Sequence, residues 1–165
     1  MRKIPTSLDA YRAPMRSPSV DDGSAAEWAI SAGVVGLAGA VSLDAYGLDE
    51  VIAAVAEEHG ERTARRVLRF AETPEDSFVW TRDSAAEYHL GRLAGGWRYD
   101  PSDVAHRLGL PHQRPCDWAD DPVPGALVPV AVIEAFARGG RNWQRIRADG
   151  VAEATAHTWS LMHDE

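Results

Sequence analysis

Polar and apolar positions are unevenly spread along this chain. Residues Trp28 to Leu43 read WAISAGVVGLAGAVSL and hold no charged side chain, although 25% of the protein is charged. At helical rise the segment covers about 24 Å, short of the roughly 20 apolar residues that span a bilayer. A helix that is apolar all round belongs in an interior. Gly33, Gly36 and Gly39 recur every third residue within it. Phosphate-binding loops use other glycine spacings after a strand, so these glycines point to close helix packing. The pattern predicts a buried central helix over about residues 25–43.

The flanking segments read as amphipathic helices. Ser24 and Glu27 form a capping box that starts the first helix. Leu48 to His59 turns Val51, Ile52 and Val55 inward and ends at Gly60, and Glu61 to Glu72 turns Ala64, Val67, Leu68 and Ala71 inward. Residues 73–82 read as a loop with a short extended stretch over 78–80. Ser84 and Glu87 make a second capping box, opening a helix to about Ala94. Residues 102–108 form a short helix closed by Gly109, and 111–124 are irregular and proline-rich. Residues 128–138 are helical, with Pro129 in the first turn. Asn142 caps a last helix to about Met162, weakened at Gly150. Strand-like alternation is nearly absent. The expected fold is all-α: one compact bundle of six or seven helices over residues 24–165. Residues 1–23, with Pro5, Pro14 and Pro18, form an extended arm that lies along its own domain or wraps a second subunit of a homodimer.

Composition narrows the partners. A chain of 165 residues is one domain by default and can bury a core without staples. Its net charge of −8 gives no whole-molecule attraction to nucleic acid or an anionic membrane. A single cysteine, Cys116, excludes an intramolecular disulfide and a thiolate-rich metal site. Lys3 is the sole lysine, and that arginine bias with abundant Ala, Gly and Asp points to a GC-rich bacterial genome. Asp9, Asp21, Asp22 and Glu27 interrupt the leader before the apolar run, which is too long and acidic for a signal peptide. A cytoplasmic protein that does not enter membranes is expected.

The candidate chemistry is aromatic and cationic. Of the 6 tryptophans, Trp28, Trp143 and Trp159 fall within predicted helices and read as core. Trp80, Trp97 and Trp118 fall at element ends or in loops, where an aromatic side chain can wall a pocket. His89 lies beside the stripe Ala86, Leu90, Leu93 and Trp97. It reads either as a packed core histidine or as a general acid or base facing a cavity. His106 is the second catalytic candidate. Arg98 could grip an anion through its planar fork, with Trp80, Trp97 and Tyr99 as ligand-binding walls. Cys116 and His112 could pair as nucleophile and base, with no third residue assignable. His106, His112 and Cys116 match no zinc spacing, and neither a metal nor a redox cofactor is expected.

Residues 102–111, SDVAHRLGLP, resemble the first half of a helix-turn-helix, but Pro115 would interrupt the reading helix after one turn. DNA is therefore the least favoured partner. Arg62, Arg65, Arg66 and Arg69 share one helix face. Arg138, Arg141, Arg145 and Arg147 crowd the predicted start of the last helix, an end that prefers anions. Such clusters usually form solvated, paired surfaces. That conflict with the helix dipole nonetheless marks Arg138, Arg141 and Arg145 as a partner-binding surface.

Two function classes follow. The first is a small cofactor-independent enzyme or ligand-binding protein with an aromatic pocket for a hydrophobic small molecule that can carry negative charge. Preorganised groups of this kind can steer a cyclisation, isomerisation or elimination. The second is a regulatory or scaffolding module that binds an acidic protein through arginine-rich faces.

Overall fold

The structure, a computed structural model, describes residues 8–140 and 143–164. It overturns the all-α bundle. The elements run β1 (Ala10–Arg12), α1 (Ser24–Ala32), β2 (Val34–Leu37), α2 (Leu48–His59), α3 (Glu61–Glu72), β3 (Phe78–Arg82), β4 (Tyr88–Leu93), β5 (Arg98–Tyr99), α4 (Asp103–Leu108), β6 (His112–Trp118), α5 (Val130–Ala137), β7 (Gln144–Arg145) and α6 (Val151–His163). The strands form one mixed sheet in the order β2-β6-β4-β3-β1-β7, with β5 beside the first half of β6. The sheet curls into a half-barrel. β1 pairs with β3 in parallel, and the other ladders are antiparallel.

Alternation along the strands divides the core. On β3, Val79 faces one side with Leu93, Cys116 and Trp118, under Ala26 and Ala29 of α1, Val51 and Val55 of α2, and Val67 and Phe70 of α3. Phe78 and Trp80 face the other side with Ala10 and Leu90, under Val132 and Ala135 of α5 and Val151 of α6. Both faces of the sheet are therefore covered, and its strands carry fewer exposed polar positions than a half-solvated sheet would.

Three predicted helical stretches are corrected. The apolar run is not one helix. Gly33 takes the left-handed conformation (φ 72°) that closes α1, and Val34-Val35-Gly36-Leu37 continues as a fully buried strand. A short apolar run reads the same way for a buried strand and a buried helix, and β-branched valines favour the strand. The close approach belongs to a strand pair as well. A Cβ on Gly36 would sit 2.8 Å from the His112 carbonyl oxygen on β6.

Residues 84–94 are not helical. The Ser84 hydroxyl and amide bond the Glu27 carboxylate of α1. Asp83 accepts from the amides of Ala85 and Glu87 and shapes a turn that joins β3 to β4, with Trp80 opposite Leu90. The local sequence of a capping box was present without the helix. The last helix begins at Val151, after Gly150 in the left-handed conformation, and Gln144–Arg145 is an edge strand. Asn142 lies outside the described residues. Residues 112–118, expected to be irregular, form β6 at the heart of the sheet. Elsewhere α2 and α3 match their expected bounds, and α4 runs from its Ser102 N-cap to Gly109. Among the described residues no helix is long and apolar enough to cross a membrane.

Candidate functional site

Four arginines gather where β1, α3 and the segment after α5 meet. A cleft of about 750 Å³ is lined there by Tyr11, Arg69, Glu72, Thr73, Arg138, Trp143, Gln144, Arg145 and Arg147. Arg69 stands in the last turn of α3 and Arg138 at the end of α5. Cations at helix C-termini are stabilising by about 0.3–1 kcal/mol, which accounts for those two. The dipole does not account for Arg145, on β7, or Arg147 beyond it. Arg145 approaches Asp9 at 3.6 Å. Among the described residues Arg69, Arg138 and Arg147 have no carboxylate at ion-pair distance. The guanidiniums are opposed by Glu72, Asp9 and two helix ends of about −0.5 charge each. The local balance is about +1, in a protein whose total is −8.

The floor is aromatic. Tyr11 stacks on Trp143 with centroids 4.8 Å apart and planes 11° apart, and Phe70 meets Trp143 edge-on at 4.9 Å. Trp143 is buried, and its indole N–H has no acceptor among the described residues. An indole nitrogen can only donate, so an unmatched one costs free energy. Burial, then the nearby Asp9 carboxylate, raise the Tyr11 pKa above its ordinary value and keep the phenol protonated.

Arg12 fixes this region from the opposite side of β1. Its buried guanidinium donates to the carbonyls of Ala135 and Gly139 and to Oε1 of Gln144. One side chain thus ties the end of α5 and the start of β7 to β1, where Tyr11 pairs with Arg145 in register. Burial, then the neighbouring Arg138, push the Arg12 pKa down. Gly140, at φ 107°, lies so close that a Cβ there would sit 2.7 Å from Arg12 Nη2.

The sequence-predicted residues fall in four places. Arg138 and Arg145 meet in the cleft. Arg141 lies outside the described residues. Trp97, Tyr99 and His106 gather around His112 instead. The Trp97 indole donates to Nδ1 of His112 at 3.2 Å, and His112 Nε2 lies 2.7 Å from the Gly39 carbonyl. A carbonyl can only accept and an indole can only donate, so His112 is the neutral tautomer with its proton on Nε2. Burial drives its pKa down to about 4. The Tyr99 hydroxyl donates to the Val41 carbonyl, accepts from the Val41 amide, and lies 3.3 Å from His106 Nε2. Arg98 donates to Gln113. Trp80 is on the opposite face of the sheet, fully buried, with its indole on Thr155.

His89 stands apart from all of these. It is 9% exposed and contacts Asp83 at 2.8 Å through Nε2, and its Nδ1 is buried without a partner. Burial works to raise the Asp83 pKa, but hydrogen bonds from His89, Glu87 and Ala85 outweigh it and hold it low. His89 does not border the arginine cleft. Cys116 is buried, and burial pushes its thiol pKa well up, so it is a poor nucleophile. Among the described residues no group of three or more His, Cys, Asp or Glu side chains is placed to hold a metal ion.

Of the cleft's aromatic and cationic residues, Tyr11, Arg69, Trp143 and Arg147 are absent from the sequence-derived sites, although Arg69 and Arg147 belong to the two arginine clusters noted in the sequence. The crowding of arginines after residue 137 was the available signal for Arg147. Neither a protein-family model nor a curated protein matches the chain.

Proposed function

We propose that this protein is a binding module that captures an anionic group in the arginine cleft. The observation that carries this is the convergence of Arg69, Arg138, Arg145 and Arg147 from separate stretches of chain onto one concave surface. Planar guanidinium forks match carboxylate and phosphate oxygens, and the stacked rings of Tyr11 and Trp143 form the floor. Acid/base catalysis at His89 has less support. Its Nε2 is engaged by Asp83 and its Nδ1 is buried, so no substrate proton comes within reach of the ring. The anion can belong to a small molecule or to an acidic side chain of a protein partner, because both present the same oxygens.

Calorimetric titration with inorganic phosphate tests the site. Binding should weaken at least tenfold in the double variant Arg69→Gln, Arg147→Gln, and should weaken steadily with salt. Equal affinity in the parent and the double variant would rule out the cleft.

A further inference from the structure

Some aromatic rings of this protein carry a guanidinium. Arg82 lies 5.7 Å from the ring centres of both Tyr88 and Phe136. Arg92 lies 4.9 Å from that of Phe78 and 5.7 Å from that of Trp159. Cations are drawn to ring faces in this way. Among the described residues Tyr11 carries none. Trp143 covers one face of it, yet among the described residues no second ring and no guanidinium lies over it. This is so although Tyr11 shares its cleft with Arg69, Arg138, Arg145 and Arg147, and Arg145 is its register partner on β7. The ring is half-buried. Phe70, Trp143 and Tyr11 thus form an aromatic series, and Tyr11 and Trp143 line the arginine cleft.

We propose that the captured anion carries an aromatic ring, which stacks on Tyr11 while its phosphate group rests on the arginines. This rests on the anion-binding reading of the cleft and names the ligand class: an aromatic phosphate, whether an aryl ester or a nucleoside monophosphate. Offset stacking favours bound aromatics by about three- to tenfold over aliphatic groups of similar charge.

Calorimetry with inorganic phosphate, ethyl phosphate, phenyl phosphate and adenosine monophosphate separates the possibilities. At least one aromatic ester should bind about three- to tenfold tighter than ethyl phosphate. A preference for phenyl phosphate places ring and anion adjacent, and a preference for the nucleotide requires a spacer between them. Tyr11→Phe should keep the preference. Tyr11→Leu should bring the ratio of aromatic to ethyl ester affinity to about one. Equal binding of all esters by the parent protein, or a preference that survives Tyr11→Leu, overturns the aromatic ligand and leaves anion capture standing. Absence of binding by every phosphate removes both.

Discussion

Two aromatic clusters lie within this half-barrel, and their polar atoms meet different ends. Around His112, the Trp97 indole, both imidazole nitrogens and the Tyr99 hydroxyl all have partners. Around Trp143, among the described residues, the indole N–H has none, and three arginines of the adjoining cleft have no carboxylate at ion-pair distance. Similar residue types produce both. A closed hydrogen-bond network locks a fold and leaves nothing to offer a ligand. Arginines without carboxylates leave donors that a ligand can satisfy. The Trp97 indole and the Tyr99 hydroxyl are thus engaged within the fold, and the proposed binding site lies instead at Tyr11, Trp143 and the cleft arginines.

Acid should break the closed cluster most severely. The unfolded chain takes up a proton on His112 below pH about 6.5, whereas the folded protein resists until about 4. Between those values the unfolded state binds more protons, so stability falls as pH falls. The loss should reach about 3 kcal/mol by pH 4, read as a lowered urea midpoint. His112→Gln should flatten that window. A parent protein whose midpoint is constant from pH 6.5 to 4 would contradict the buried neutral imidazole.

A paired substitution sharpens the contrast. Trp97→Phe orphans Nδ1 of His112, whereas Trp143→Phe deletes an N–H that bonds nothing among the described residues. Both lose ring area. Trp97→Phe should carry an added hydrogen-bond penalty of about 1–3 kcal/mol, visible once each is compared with its own lost packing. The smallest effect is expected at the rim. Asp9→Asn frees Arg145 from its carboxylate, which should tighten phosphate binding a few-fold while stability changes by less than about 1 kcal/mol.

Helices with their own local punctuation were legible in the sequence. α2 and α3 meet at Gly60, and α4 sits between the Ser102 cap and Gly109. The strands were not. β6 carries His112, Gln113 and Arg114 into the interior, and their burial is tolerable only because distant groups satisfy them. Arg114, for example, donates to the carbonyls of Phe70, Thr73 and Gly95. No local pattern announces such partners. Ser84 and Glu87 repeat a capping signature, yet Glu27 claims Ser84 from another element. In the candidate site, Arg138 and Arg145 were marked by a conflict with a helix start that the structure does not contain, because the last helix begins only at Val151. Tyr11 was not legible, and Arg69 was legible only as one of four arginines on a helix face, because pairing of β1 with β7 and the packing of α3 bring them there. Trp143 was hidden by extending the last helix back to residue 142.

The most direct test follows the tryptophan indole N–H signals by proton–nitrogen NMR as inorganic phosphate is added, with Trp143→Phe for assignment. The indole of Trp143 should shift, while those of Trp80, Trp97 and Trp118, already bonded to Thr155, His112 and the Val34 carbonyl, should stay in place. A stationary Trp143 signal at high phosphate, or a shift confined to Trp97, would contradict the open cleft as the binding site.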